Sequence, residues 1–326
     1  MMMIARRHFI TTGAAAYCSL IAARPLSAQS YPQRPIKIIV AGLPGVPFDI
    51  LARAVADKLS ANLKQPVIVE DRPGAAGNLG AEAVARSAAD GYTLLIALST
   101  TFTVNPSLYR KLPFDPNADF KFLTLSASGA NMLVVHPSVP VNSVAEFVAY
   151  AKKEPISYAH GGPGTPGHLC MEYFALLAGF QTVPVAYRGN TQLSIDLVAG
   201  RIKFGFVGGG GVIQHIRAGR LKGLATSSRQ RSLLAPDIPT IAELGFANFE
   251  FEAQFPLAVP AGTPESVAAL LEREIHKALT SPDIQERLVP MDMRVVASSS
   301  SEAKSRIQSD AALWAKVVKT TGMHVD

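Results

Sequence analysis

An α/β fold with mainly parallel sheets is the class that the sequence predicts. Short runs of aliphatic and β-branched residues alternate along the chain with segments whose apolar residues recur at helical spacing. Two glycine- and proline-rich loops each stand between such a run and such a segment. Alternating strands and helices are typical of α/β proteins. The 326 residues exceed twice the usual domain length of about 150 residues, so about two domains are expected.

The elements follow in order along the chain. The first strand candidates are residues 36–40, 67–69 and 93–96. The helix after the first strand is predicted from one face that carries Ile50, Leu51, Val55 and Leu59. A later helix begins at Ser143, because Glu146 completes a capping box with it. Thr263 and Pro264 open another helix.

The first 28 residues have the layout of an export signal peptide. A basic start (residues 1–7) precedes an apolar run (residues 9–23), and small residues before Gln29 offer a cleavage site after Ala28. The pair Arg6-Arg7 also fits a twin-arginine signal, so the export route stays open between that pathway and the general secretory one. The mature chain is therefore expected in the periplasm.

Net charge and cysteine count exclude several classes of protein. The leader contains three of the 31 basic residues and none of the 25 acidic ones, so the formal charge falls from +6 to +3. No block of Lys and Arg remains, which argues against nucleic acid as a partner. Cys170 alone survives cleavage, so no internal disulfide is possible, and the scattered histidines show no metal-ligand spacing. No metal and no cofactor are expected.

The two glycine-rich loops are the candidate binding elements. The first covers residues 42–49 and the second residues 160–168, and each leads from a strand into a helix. Glycine lets the backbone turn tightly and approach a ligand, while the helix that follows presents N–H groups and a positive dipole end. Together the loops predict a grip on a small carboxylate from two sides. The alternative, that both are plain strand-to-helix turns, stays open at this point.

Other motif interpretations fail or remain secondary. Residues 162–167 match the dinucleotide fingerprint, but the residue about twenty positions on is Tyr187 and not an acid. Residues 160–164 resemble an oxyanion loop of hydrolases, yet the required G-x-S-x-G pentapeptide is absent from the sequence. The run Gly208 to Gly211 is either a turn or a close approach to a ligand, and the turn is favoured.

Motifs along the whole mature chain resemble those of one family, the tripartite tricarboxylate transporter solute receptors, also called the Bug family. Examples are Asp49-x-x-Ala52-Arg53 and the stretch from Glu70 to Asn78. The matching stretches are residues 31–36, 49–53, 70–78, 91–95, 105–109, 112–116, 119–120, 162–169, 185–189, 196–200, 218–225, 236–245, 260–264 and the tail around Trp314.

The resemblance implies a two-lobed periplasmic binding protein of type II, a Venus flytrap with mixed, mostly parallel sheets. Its lobes are interleaved: residues 29–125 and 253–326 would form the first lobe, with residues 126–252 inserted as the second. The expected partners are a small carboxylate and the membrane subunits of a transporter of the tripartite tricarboxylate type. The protein is expected to be a monomer without catalytic residues.

The resemblance also implies which residues bind the ligand. The residues carried over from the family are Leu43, Pro44, Gly45, Asp49, Gly161, Gly162, Gly164 and Thr165, and the further candidates are Val46, Ser99, Thr100, Thr101, His160 and His168. Asp49 is expected to act mainly as the N-cap of its helix, and His168 to pack at a helix start. Ser99, Thr100 and Thr101 would contact the distal end of the ligand.

The sequence departs from the family pattern in both loops. Gly42 replaces an aromatic residue, Gly45-Val46 a glycine pair, and His160 a serine. If His160 lies in the pocket, affinity for a carboxylate should fall as the pH rises through its pKa. Two alternatives remain: an exported hydrolase or lyase that uses His160, and a sensor that presents its closed form to a membrane kinase.

Overall fold

Two mixed β-sheets flanked by helices make up the computed structural model, which describes residues 31–187 and 189–325. The described strands are β1 (Ile36–Val40), β2 (Val67–Asp71), β3 (Thr93–Ile96), β4 (Phe120–Gly129), β5 (Asn131–Val135), β6 (Ile156–His160), β7 (Thr182–Ala186), β8 (Phe204–Gly208), β9 (Lys222–Thr226), β10 (Ala253–Pro260) and β11 (Met293–Val295). The export signal predicted at residues 1–28 lies outside the described residues.

Helices connect most of the strands, and two short 3₁₀ turns cover Ala75–Gly77 and Val289–Met291. The described helices are α1 (Pro47–Leu63), α2 (Asn78–Ala85), α3 (Thr100–Thr103), α4 (Asn105–Leu108), α5 (Val144–Ala151), α6 (Pro166–Ala178), α7 (Asn190–Val198), α8 (Gly209–Arg217), α9 (Glu265–Leu279), α10 (Pro282–Leu288) and α11 (Ser300–Thr321). Within the described ranges, none of these helices combines the length and the apolar character that a membrane span requires.

The two sheets define two lobes, which confirms the predicted two-lobed α/β fold. The six-stranded sheet has the order β11-β4-β10-β3-β1-β2, and the five-stranded sheet the order β7-β6-β8-β5-β9. Among the described pairings, β1 runs parallel to β2 and β3, and β6 runs parallel to β7 and β8; the other five pairings are antiparallel. Parallel pairing is therefore less dominant than predicted, because β4, β5 and β10 return against their neighbours.

The chain passes between the sheets at two places. β4 of the six-stranded sheet ends at Gly129, and β5 of the five-stranded sheet begins at Asn131. The chain returns between the end of β9 at Thr226 and the start of β10 at Ala253. The lobe boundaries at residues 125/126 and 252/253 stay a prediction.

Local signals in the sequence account for several helix starts. Ser143 caps α5, since its Oγ accepts a hydrogen bond from Glu146 N at 3.1 Å. Ser299 forms a full capping box with Glu302 at the start of α11. On α1, Leu51, Val55 and Leu59 are buried, but Ile50 is exposed, so the predicted apolar face is one residue narrower. Ile50 lies about 100° around the helix from Leu51, beyond the packed stripe.

The largest apolar cluster connects the two lobes. It joins the five-stranded sheet and α6 to Val104 and Leu108 next to α3, and to Trp314 on α11. Trp314 packs edge-on against Tyr173 of α6, with ring centroids 5.7 Å apart. Because α11 also packs on β4, this cluster fixes one side of the junction between the lobes.

Candidate functional site

The first loop turns from β1 into α1; only residues 42–46 of it are non-helical, because residues 47–49 form the first turn of α1. Gly45 adopts the left-handed conformation (φ 81°), which glycine enters without a Cβ penalty. Its N–H donates to Asp49 Oδ2 at 2.7 Å, so the first turn of α1 holds the loop from behind. Leu43 at the tip is 57% exposed. The loop is thus a fixed turn that presents backbone and one apolar side chain outward.

Asp49 is not the N-cap that the sequence predicts. Val46 occupies that position with extended backbone, because Pro47 begins the helix. Asp49 lies in the first turn, is buried, and reaches back to Gly45 with one oxygen. Its other oxygen lies 2.8 Å from Arg53 Nε, as an ion pair more than as a well-aligned hydrogen bond. Both oxygens of the Asp49 carboxylate therefore interact within the protein and not with a solute in front of the loop.

Phe48 fills the space that an aromatic side chain at position 42 would need. A Cβ on Gly42 would collide with the Phe48 ring, which is buried and stacked on Phe255 at a centroid distance of 5.5 Å. Gly42 replaces an aromatic residue of the family pattern, and the nearby Phe48 ring compensates for that replacement. An aromatic wall exists near the loop, but it comes from the helix and not from the loop itself.

The second loop turns from β6, which ends at His160, into α6, and residues 166–168 of the loop form the first turn of that helix. The Thr165 hydroxyl donates to Gly162 O at 2.7 Å, and His160 Nδ1 lies 2.8 Å from the same oxygen. Gly162 and Gly164 have positive φ values of 127° and 71°. His168, on the first turn of α6, accepts a hydrogen bond from Gly164 N through Nδ1 at 3.1 Å. Side chains at both ends thus fix the loop.

The two histidines of the second loop are buried and stacked on each other, with ring centroids 4.5 Å apart. Burial lowers the pKa of His160, although Gly162 O opposes the change. Burial, together with the neighbouring His160, lowers the pKa of His168 to about 3. Burial thus favours the neutral form of both rings, which opposes a charge on His160 that could attract a carboxylate.

The second loop meets the other lobe at Gly164. A Cβ built on Gly164 would lie 2.8 Å from Leu108 Cδ2 and 3.7 Å from Asn105 Oδ1. Asn105 is fully buried and donates through Nδ2 to Ala76 O at 3.1 Å and to Asn78 Oδ1 at 2.7 Å. Its Oδ1 has no partner among the described residues. A free acceptor therefore stands where the second loop reaches the six-stranded lobe.

A third segment, residues 74–78, adjoins this arrangement through Thr101 and Asn105, and neither glycine-rich loop of the sequence includes it. Ala75 and Ala76 have positive φ values of 47° and 51°, a left-handed conformation that costs a residue with a Cβ about 1 kcal/mol or more. Ala76 O accepts from both Thr101 Oγ1 (3.2 Å) and Asn105. The only signal in the sequence was the motif that ends in Gly77-Asn78, within the family resemblance.

The structure separates the three hydroxyl residues predicted for the distal end. Thr101 faces Ala76 and Gly77, next to the loops. Ser99 and Thr100 instead line a cavity of about 290 Å³, together with charged residues from other segments of the chain. The remaining lining residues are Thr103, Tyr173, Arg229, Asn248, Glu250, Phe251, Glu252, Arg306, Ser309, Asp310, Leu313 and Trp314. Of the predicted binding residues, this cavity contains only Ser99 and Thr100.

The sequence matches the family described as "Tripartite tricarboxylate transporter family receptor" over residues 51–323. The chain belongs to this receptor family. Among curated relatives, it is 34% identical to BugT of Bordetella pertussis over 303 residues, which cover 92% of this chain and 93% of BugT. The resemblance inferred from the motifs is thereby confirmed.

Solved structures of similar proteins include two ligand complexes. One is an R. palustris protein with adipate (30% identity, TM-score 0.80), which this receptor matches over 90% of its own length and 98% of the other chain. The other is MatC from Rhodopseudomonas palustris with bound malate (26% identity, TM-score 0.76, 88% and 100% covered). These likenesses confirm the solute-receptor fold, and both of these relatives bind a carboxylate.

Proposed function

We propose that this receptor is exported to the periplasm, captures a small carboxylate between its two glycine-rich loops, and delivers it to a membrane transporter of the tripartite tricarboxylate type. Its work is binding and closure of the lobes, without chemistry. The closed, loaded form is the one that the transporter recognises, so selectivity for the solute becomes selectivity of transport.

One observation carries this proposal: loops from the two sheets come together at the starts of helices. Gly164 of the second loop packs against Leu108 and Asn105, and Asn105 bonds to the turn that begins α2. Ala41, directly before the first loop, adjoins the same turn, because a Cβ on Gly77 would lie 3.4 Å from Ala41 O and a Cβ on Gly80 2.8 Å from Ala41 Cα. Helix starts with positive dipole ends favour an anion.

The bound solutes of the relatives support the carboxylate class. Adipate and malate are both small dicarboxylates, and each relative covers nearly nine-tenths of this chain. The two solutes differ in length and in the hydroxyl group that malate has. Because the shared feature is the carboxylate, we propose the class of the solute and not one member of it.

The alternative of hydrolysis or elimination at His160 finds no favourable geometry. Nδ1 of His160 is directed at Gly162 O and N within its own loop, and burial lowers its pKa. Nδ1 of the stacked His168 likewise accepts a hydrogen bond from Gly164 N. Nδ1 of each ring is therefore occupied within the loop and does not serve as a general base.

The test is a binding panel on the mature protein. Calorimetry with adipate, malate, succinate and citrate, beside an uncharged diamide of the same length as adipate, should give binding of at least one carboxylate and none of the diamide. Binding of none of the carboxylates would overturn the proposal. Turnover of any of them by the purified protein would favour the enzyme alternative.

A matched pair of glycine variants localises the binding. Gly164 and Gly179 have nearly the same backbone conformation (φ 71° and 73°), so alanine at either costs about 1 kcal/mol of strain. A Cβ at Gly179 has no neighbour within 4 Å, whereas one at Gly164 presses on Leu108. We expect Gly164→Ala to weaken carboxylate binding about tenfold, equal to about 1.4 kcal/mol, and Gly179→Ala to leave it within twofold. Equal effects would place the solute elsewhere.

A further inference from the structure

A chain of charged groups lies directly behind the first loop. Asp49 accepts from Gly45 N at 2.7 Å and pairs with Arg53 Nε at 2.8 Å. Arg53 also donates through its second nitrogen to Asp71 Oδ2 at 2.7 Å, at the end of β2. Three residues from two elements thus connect the loop backbone to the neighbouring strand. Two of them are acids and one is a base.

The negative charges of Asp49 and Asp71 in this arrangement would oppose the binding of an anion at the first loop. The Asp49 side chain is only 4% exposed, so water screens its charge weakly. Burial and the charge of Asp49 raise the pKa of Asp71, while Arg53 opposes this change. Two carboxylates that repel each other therefore stand behind the loop that is proposed to receive a third.

Arg53 is the cation that forms ion pairs with both Asp49 and Asp71. Among the described residues, the ion pairs of Asp49 and of Asp71 both involve Arg53. The nearest other bases on β1 and after β2 are engaged elsewhere: Lys37 and Arg72 both pair with Glu70. Lys58, further along α1, pairs with Asp283 of α10. No second base therefore substitutes for Arg53 within the described ion pairs.

We propose that Arg53 is a positioning residue for solute binding: by neutralising Asp49 and Asp71 from behind, it leaves the first loop and the start of α1 attractive to a carboxylate. Arg53 itself does not touch the solute. The inference rests on the proposed function, because it assigns to the first loop a role in holding the carboxylate.

Counting the charges separates this role from simple bracing. The wild-type group of three carries one net negative charge, and Arg53→Gln carries two. The double variant Arg53→Gln with Asp71→Asn carries one again, although the bridge between loop and strand is still broken. Neutralisation predicts that the double variant recovers affinity, whereas bracing predicts that it stays weak.

The experiment is calorimetry with adipate and malate at low salt on the wild type and five purified variants. We expect Arg53→Gln to bind about tenfold more weakly, because one more negative charge behind the loop is then uncompensated in a partly screened medium. Arg53→Lys should remain within threefold and Asp71→Asn should match or exceed the wild type. The double variant should recover most of the loss. Arg201→Gln removes a base paired with Asp196 on the other lobe and should leave binding unchanged.

The outcomes are distinct. A double variant as weak as Arg53→Gln, or an Arg53→Gln variant that binds like the wild type, overturns the inference and leaves the proposed function standing. A wild type that binds neither solute, nor any other carboxylate, overturns the proposed function and the inference with it. Melting temperatures without solute confirm that each variant is folded, and the Asp71→Asn background supplies the comparison if Arg53→Gln alone is unstable.

Discussion

At the scale of single residues, burial decides what the polar side chains of the loops can do. His160 and His168 lie at positions where a sequence suggests charge or ligand contact, but both are buried and hydrogen-bonded inside their own loop. Asp49 is likewise used internally, through Gly45 and Arg53. The sequence could place these residues in the loops, because the loops follow local signals. It could not give the direction of the side chains, because packing determines that.

His168 makes the stability of the protein depend on pH. Its pKa is about 3 in the folded protein and about 6.5 when the chain unfolds, so the unfolded chain binds the extra proton as the pH falls. Stability is therefore complete above 6.5 and decreases below it. Between pH 7 and pH 5 we expect a loss of about 2 kcal/mol in the free energy of unfolding.

Urea unfolding at both pH values measures this loss. His168→Asn keeps an acceptor near Gly164 N but removes the titrating group, so its stability should change less between the two pH values. His324, at the exposed chain end, supplies the control His324→Asn, which should behave like the wild type. The same pH dependence in His168→Asn would contradict the role given to His168.

At the scale of elements, the glycine run from Gly208 to Gly211 is explained by its packing against a segment that is distant in the chain. The sequence favours a turn there, and the structure begins α8 at Gly209. The close approach is made by protein and not by a ligand: a Cβ on Gly209 would collide with the carboxylate of Asp292. Asp292 also accepts from Ser232 Oγ and Leu233 N, both at 2.8 Å. A buried carboxylate from the segment before β11 thus sits at the start of α8.

Two neighbouring glycines of α8 provide a matched test. A Cβ on Gly210 would lie 2.8 Å from Met291 Cα, which is backbone, whereas a Cβ on Gly211 would only touch Val207 at 3.9 Å. We expect Gly210→Ala to lower the free energy of unfolding by about 1–3 kcal/mol through overpacking. Gly211→Ala should raise it by up to about 1 kcal/mol, since alanine is the better helix former. Urea unfolding measures both, and a stable Gly210→Ala would argue against the close packing of α8 on residues 289–291.

At the scale of the whole molecule, the apolar cluster around Trp314 joins the lobes, and the second glycine-rich loop meets the six-stranded lobe at Leu108 and Asn105. Trp314 packs edge-on against Tyr173 and Phe251, the latter at 5.5 Å between ring centroids. Phe251 lies in the segment by which the chain returns to the six-stranded sheet. The cluster therefore ties α11, α6 and a crossing segment into one packed body.

Removing the Trp314 side chain should loosen the junction of the lobes. We expect Trp314→Ala to lower the free energy of unfolding by about 3–5 kcal/mol, and Trp314→Phe, which keeps an aromatic ring, to cost much less. Circular dichroism during urea unfolding gives the comparison. Because Trp314 is the single tryptophan of the chain, its fluorescence also reports on this junction in the wild type when adipate or malate is added. Equal stability of the two variants would contradict the role given to the cluster.

The sequence by itself determined the α/β class, the position of both glycine-rich loops and the receptor family, since each depends on local periodicity, turn residues and short motifs. Only the tertiary structure decided that Gly164 packs against Asn105, that Arg53 forms ion pairs with two acids, and that Asp292 lies at the start of α8. Several of these contacts join elements that are far apart in the chain, such as residues 105 and 164 or 209 and 292, whereas Arg53 and Asp49 are four residues apart on α1. Their geometry depends on how the two sheets pack, and no local pattern in the sequence encodes that packing.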